Sequence, residues 1–193
     1  MSACAKITAG IALNCDKPLV AGNKDLLTLI NMDDIVGITR NVTNPQIIEG
    51  ITLVASPAAK AYTFEGKNSS IDTKSDLIKG KYSENYGHQV LFRVFEDGPD
   101  VKLQIEKLGK GKFIAIYEKN YRGTLDKAAF EIRGLDVGLV ATVITQDSTD
   151  ADTTGAYVIT LASQEGFPEP HLPATFFITD YATTKAAYVA LSA

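Results

Sequence analysis

Gln89-Val90-Leu91-Phe92-Arg93-Val94-Phe95-Glu96, a turn at Gly98-Pro99-Asp100, and Lys112-Phe113-Ile114-Ala115-Ile116-Tyr117-Glu118-Lys119 after a short intervening segment are the residues whose reading decides the fold. In the first run Val90, Phe92 and Val94 alternate with Leu91, Arg93 and Phe95, which is the period of a strand. In the intervening segment Val101, Ile105 and Leu108 fall at i, i+4 and i+7, one face of a helix. Pro99 suits a first helical turn, Asp100 suits its positive end, and Gly109 suits a stop. The second run is apolar almost without interruption and rich in β-branched and aromatic residues, so strand character returns at once. One helix of about 14 Å between two strands is the local pattern.

Working toward the N-terminus, Leu26–Asn31 reads as a buried strand, Asp33-Asp34 as a turn, and Ile35–Arg40 as a second short strand. Asn44-Pro45 breaks the chain, Ile47–Leu53 resumes it, and Ser56-Pro57 turns it again. Ala61, Thr63 and Glu65 alternate with Tyr62, Phe64 and Gly66, and Lys67-Asn68-Ser69-Ser70 is a polar turn leading to Ile71–Ile78. These segments are expected to form one long hairpin, about 60–81, projecting from the domain. A lone two-stranded ribbon is marginal in water and wants a partner surface. Tyr62, Phe64, Asn68, Ile71, Leu77 and Ile78, together with Ile11 and Leu13 in a weakly patterned N-terminal arm (1–25), are therefore the candidate inter-subunit contacts. Toward the C-terminus, Ala129–Arg133 and Val137–Gln146 are expected as a hairpin pinned by Gly134-Leu135-Asp136. Ala156–Leu161 and Thr175–Ile178 are further strands, and Thr183–Leu191, in a tail of about 180–193, is either a short helix or extended. The whole reads as mainly β: two packed antiparallel sheets, sandwich- or barrel-like, with one flanking helix, in a single domain over 26–193.

The bulk numbers bound what such a domain does. With 193 residues, 45% of them apolar and 22% charged, the chain is long enough to bury roughly 70% of its unfolded surface without covalent staples. Its net charge of −4, from 19 basic and 23 acidic residues, leaves no basic excess to hold a phosphate backbone. Two cysteines, Cys4 and Cys15, make no disulfide framework and no four-ligand zinc site. Met1–Leu13 carries only Lys6 as a cation, and its apolar run is broken by Thr8 and Gly10, a poor export signal. Asn14 stands where a lipoprotein cleavage site wants a small residue. No segment reaches the ~20 apolar residues of a membrane helix, so synthesis in the cytoplasm without membrane insertion is expected.

Chemistry is sparse. His88 and His171 are the only histidines; each is expected as a surface or interface hydrogen-bonder. No Gly-x-Ser-x-Gly elbow is present. Gly109-Lys110-Gly111-Lys112 follows a helix where a phosphate loop precedes one, so it reads as a cap and turn. Asp147, Asp150 and Asp152 lack the spacing of a calcium loop, and Glu118, Asp126, Glu131 and Glu165 are scattered carboxylates. No enzyme, metal or cofactor is expected.

The second half resembles a known family. Phe113–Tyr121 directly after the helix, Phe130–Leu139, the strand Tyr157–Leu161 and Phe176–Tyr181 resemble tail-tube virion proteins of phages and prophages of Bacteroidetes-type bacteria, over roughly residues 85–190. The resemblance implies two packed sheets with one helix, six-membered rings whose inner sheets join into a barrel, and stacking of rings through arms and a long loop. It implies a virion tail protein whose partners are copies of itself and other tail proteins, with DNA passing a weakly acidic lumen unbound. Related β-rich readings are a head-decoration or tail-terminator protein, or a non-enzymatic surface binding module.

Overall fold

The computed structural model describes residues 7, 9–12, 14–55 and 57–193; Cys4 and Leu13 lie outside the described residues. The chain is mainly β, and the described residues form eleven strands and two α-helices. In order these are β1 (Asn23–Asn31), β2 (Ile35–Arg40), β3 (Ile47–Leu53), β4 (Tyr62–Glu65), β5 (Asp72–Lys79), β6 (Glu84–Val94), α1 (Pro99–Leu108), β7 (Lys112–Lys119), β8 (Phe130–Arg133), β9 (Leu139–Gln146), β10 (Tyr157–Ser163), β11 (Ala174–Phe176) and α2 (Tyr181–Ala190). All the strands belong to one large mixed sheet with the path β2-β3-β11-β8-β7-β9-β10-β6-β5, and β1 joins β7 to β4 off that path. No helix among the described residues is long and apolar enough to cross a membrane.

Strand β7 is the hub. Its apolar run is continuous because both of its faces are covered. Phe113, Ala115 and Tyr117 enter one buried cluster with Leu27, Leu29, Val90, Phe92, Leu139, Ile159, Leu161 and the α1 residues Ile105 and Leu108. Ile114 and Ile116 enter a second with Ile30, Ile48, Phe130, Ile132, Phe176 and Tyr188 of α2. One edge of β7 pairs with β1. The other edge is shared: Ala115–Glu118 pair with β8, and Lys112 and Phe113 pair with β9. Strands β8 and β9 are thus two successive partners of β7, not the hairpin expected from Gly134-Leu135-Asp136.

The detour between them requires glycine. Gly134 and Gly138 have φ of 72° and 89°, a backbone region that other residues adopt at a penalty. A Cβ on Gly134 would lie 2.6 Å from Leu139 Cγ and 3.0 Å from the Phe113 carbonyl oxygen. Gly134→Ala is expected to destabilise the chain by about 2–3 kcal/mol. Gly155→Ala is its control: φ is 74°, but the nearest atom is 3.6 Å away, so only the backbone penalty of about 1 kcal/mol applies. Equal falls in melting temperature for the two variants would contradict the close approach at Gly134.

Three further expectations are corrected. First, β4 and β5 do not pair with each other: β4 pairs with β1 through Leu26–Leu29, and β5 pairs with β6 along its whole length. The turn at Lys67–Ser70 carries the chain from one partner to the other, and the actual hairpin is β5–β6, with its tip at Gly80–Ser83. Second, β11 runs parallel to β3, with Thr175 opposite Ile47 and Phe176 opposite Ile48, so the sheet is not purely antiparallel. Third, a second helix is present. The Asp180 carboxylate accepts the Thr183 N–H at 2.8 Å, an N-cap that fixes where α2 starts. Thr184 and Tyr188, four apart on one face, are both buried.

Candidate self-assembly edges

Strands β2, β4 and β5 each pair on one side alone, and an unpaired strand edge offers N–H and C=O groups to another chain. On β5 the alternation of the ladder shows which groups are offered. Tyr86 exchanges both backbone hydrogen bonds with Glu169, at 2.8 and 2.9 Å, so its backbone faces away from β5. Tyr86 lies opposite Leu77, and in an antiparallel pair this turns the backbone of Thr73, Ser75, Leu77 and Lys79 away from β6. The near part of this edge is occupied: Asn23 Nδ2 donates to the Ile71 carbonyl at 3.0 Å, and the Arg133 guanidinium reaches Ser75 Oγ. The far part, at Leu77 and Lys79, is open among the described residues.

On β4 the same reasoning applies. The Gly66 N–H donates to the Asp25 carbonyl at 2.6 Å, and the Ala61 N–H donates outward to the Leu191 carbonyl at 2.7 Å. Thr63 and Glu65 therefore turn their backbone groups away from β1. Beside this edge runs a cleft of about 570 Å³ between β4 and α1. Its wall includes the consecutive residues Lys60–Phe64, so it follows the edge of the strand and not one face. Leu29, Leu108 and Phe113 supply its apolar surface, and Gln104 and Lys107 of α1 stand opposite.

The candidate contact residues separate on this frame. Tyr62, Leu77 and Ile78 are exposed large apolar side chains on edge strands, and Ile11 is fully exposed in the arm. Asn68 is exposed in the turn with φ of 54°. Ile71 is corrected: it is 2% exposed and part of the core, so it faces no neighbour. Phe64 is half-buried, packing edge-to-face on Phe92 with ring centroids 5.2 Å apart, and only its rim reaches the cleft. Leu13 lies outside the described residues. Val36 on β2 and Tyr82 at the β5–β6 tip are exposed apolar residues that the sequence reading passed over; a lone Val in IVGITR and a Tyr between Lys81 and Ser83 carry no periodic signal.

No family model, no curated protein and no solved structure matches the chain. A paired set of ionisable side chains sits at the seam between β7, β8 and β5. Arg133 Nε donates to Tyr117 Oη at 2.6 Å, Arg133 Nη2 donates to Glu131 Oε1 at 2.7 Å, Lys119 Nζ donates to Glu131 Oε2 at 2.9 Å, and Tyr117 Oη donates to Glu131. Burial pushes the Tyr117 phenol up and so keeps it a donor. Burial also raises the Glu131 carboxyl, but Arg133 and Lys119 outweigh it and hold it below the usual range. Each of these groups is paired, which is the arrangement of a clamp. The acidic loop closes on itself: Asp147 accepts from Thr149, and Asp150 accepts from Asp152 and Thr153. No three His, Cys, Asp or Glu gather as a metal set among the described residues.

His88, expected as a surface or interface hydrogen-bonder, is 3% exposed within β6. Its Nδ1 accepts the Gly134 N–H at 3.2 Å, while its Nε2 finds no acceptor among the described residues. Burial, and then the charge of Arg133, lowers its pKa to about 4, against smaller upward pulls from the His171 backbone, Glu131 and Asp136. The unfolded chain then takes up the proton first, so stability is full above pH ~6.5 and falls as the pH drops toward ~4. The loss expected between pH 7 and pH 4.5 is about 2–3 kcal/mol. Glu131, with its lowered pKa, gives way only at more acid pH. His88→Gln, whose amide oxygen can accept from Gly134, is expected to flatten this part of a denaturant-stability curve; an unchanged slope would contradict the assignment.

Proposed function

We propose that this chain is a structural virion protein that assembles with copies of itself into six-membered rings, stacked as a phage tail tube through which DNA passes. The observation that carries the reading is the open strand edges. Beta strands left bare at both ends of the sheet path, with exposed Val36 on β2 and Leu77 and Ile78 on β5, are complementary in kind: β2 of one subunit can take β5 of the next. Such a head-to-tail contact closes into rings, and ring closure removes the edges. Two facing sheets, as tube subunits have, are supported by the first core cluster, which brings β1 and β7 residues together with residues of β6, β9 and β10. The net charge of −4 suits a conduit to which DNA does not adhere. No catalysis is part of this reading, and the chain's partners are its own copies and the neighbouring tail proteins in the virion.

Negative-stain microscopy of the purified chain is expected to show hollow filaments; discrete rings alone would favour a terminator or decoration protein. Leu77→Lys with Ile78→Glu is expected to change the stability of the subunit by no more than about 0.5 kcal/mol, because both positions are exposed, while removing the filaments. Filaments formed undiminished by this variant would exclude the β5 edge as the lateral contact.

A further inference from the structure

Helix α1 turns Ile105 and Leu108 into the first core cluster, so Gln104 and Lys107, each one position before them, flank that face. They stand across the cleft from Lys60–Phe64 of the β4 edge. The floor of the cleft is made of core residues. Leu29, Leu108 and Phe113 line it and are 1%, 5% and 6% exposed. Leu29 lies opposite Tyr62 in the β1–β4 ladder, so the floor begins directly beside β4. At about 570 Å³, the cleft has the size and the apolar lining of a site for a small ligand.

Its charge is of one sign. Lys60 and Lys107 are the charged side chains of the lining, and no Asp or Glu joins them. Both lysines are exposed, and among the described residues neither takes part in an ion pair. In a chain of net charge −4, two unpaired cations beside an apolar floor suit an anion with an apolar tail. A lysine stem lies along apolar surface while its ammonium stays in water, so each can cover a hydrocarbon chain and meet a charged head at the rim. An extended peptide fits less well. Strand addition uses a run of outward backbone groups. The Ala61 N–H is already given to the Leu191 carbonyl, and Glu65 is not part of the lining, which leaves Thr63 alone.

We propose that the cleft between β4 and α1 binds a free single-chain fatty acid, with its acyl chain on Leu29, Phe64, Leu108 and Phe113 and its carboxylate at the rim between Lys60 and Lys107. The acyl chain supplies most of the affinity, since each buried methylene is worth about fourfold. The lysines select the head group, each adding little on its own because exposed ion pairs are weak. The cleft is built within one subunit, so binding needs no second copy.

The full chain is titrated with dansyl-labelled undecanoate, followed by fluorescence, and the probe is displaced with octanoate, decanoate and dodecanoate, each below its micelle concentration. Saturable binding is expected, with displacement tightening about fourfold per added methylene until the cleft is full. Lys60→Glu with Lys107→Glu changes two exposed positions and is expected to weaken decanoate about tenfold or more. Decanol, which carries no charge, is expected to bind the parent and this variant alike, and so reports that the variant is folded. Absence of saturable binding, an affinity indifferent to acyl length, or decanoate binding undiminished in the double variant overturns the proposal. Sedimentation of the chain with phosphatidylglycerol vesicles, where decanoate displaces no probe, assigns this face to a membrane surface and overturns it as well.

Discussion

Arg133→Ala is expected to lower the stability of the subunit by about 3–5 kcal/mol, the range for breaking one side of a buried ion pair. The guanidinium is 6% exposed as part of its residue and spends its donors on Tyr117 Oη, Glu131 Oε1, the Lys74 carbonyl and Ser75 Oγ. Removing it leaves the Glu131 carboxylate with Lys119 and Tyr117 alone, and leaves the β5 backbone without its tie to β8. The effect is therefore both energetic and local: urea denaturation should report the global loss, and exchange of the Asp72, Lys74 and Asp76 amides, which face β6, should accelerate more than exchange in β3 or β11. Arg133→Lys, a point charge on a flexible stem, cannot reproduce the forked geometry and is expected to recover only part of the loss. A variant within 1 kcal/mol of the parent would mean that water replaces the guanidinium and that the seam is no clamp.

Glu169→Ala is the second large effect, on the order of 4 kcal/mol. Glu169 is 1% exposed, and its carboxylate accepts three consecutive backbone N–H groups: Asp136 at 3.1 Å through Oε2, and Val137 at 2.9 Å and Gly138 at 3.1 Å through Oε1. Those N–H groups belong to the detour between β8 and β9, where the sheet changes partners on β7, so no strand is available to satisfy them. A buried donor left unsatisfied is penalised more than a bond made is rewarded. Glu169→Gln keeps one oxygen for Val137 and Gly138 and turns an amide donor toward Asp136, so it should lose about 1–2 kcal/mol. The order Ala far below Gln, and Gln below the parent, is the signature; thermal denaturation at neutral pH reads it. Equal behaviour of the two variants would show that the carboxylate does not hold the detour.

What was legible in the sequence follows from where the deciding information is local. The segment Pro99–Leu108 is helical as its spacing and flanking Pro99 and Gly109 require, because caps and periodicity lie within the segment. The run Phe113–Tyr117 reads as a strand for the same reason; the burial of both its faces depends on partners far along the chain. Pairing partners are a different matter. Lys67–Ser70 does turn the chain, with positive φ at Asn68 and Ser69, but turn chemistry does not say whether the two flanking strands meet each other. Here β4 finds the apolar edge of β1 and β5 finds β6, since a polar two-stranded ribbon would have buried little. Gly134-Leu135-Asp136 likewise reads as a hairpin turn, because glycine signals a reversal and not a detour along one partner.

The polar groups were the least legible. Nothing near His88 in the chain marks it as buried, since its partner Gly134 is 46 residues away, and Glu169 sits in a proline-broken stretch that reads as solvated loop. Asp180 did carry a signal: an N-cap residue three positions before Thr183. Of the candidate contacts, Tyr62, Leu77 and Ile78 follow from expecting a thin ribbon that wants a partner surface, and they are exposed on edge strands. The same expectation does not tell that Ile71, just before β5, turns inward.

Sedimentation velocity of the full chain, from micromolar to millimolar concentration in physiological salt, bears most directly on the central claim that the open edges are satisfied by other copies. Growth into large, concentration-dependent species that microscopy resolves as hollow filaments is the expected result. A single monomeric boundary that persists at the highest concentration would contradict it.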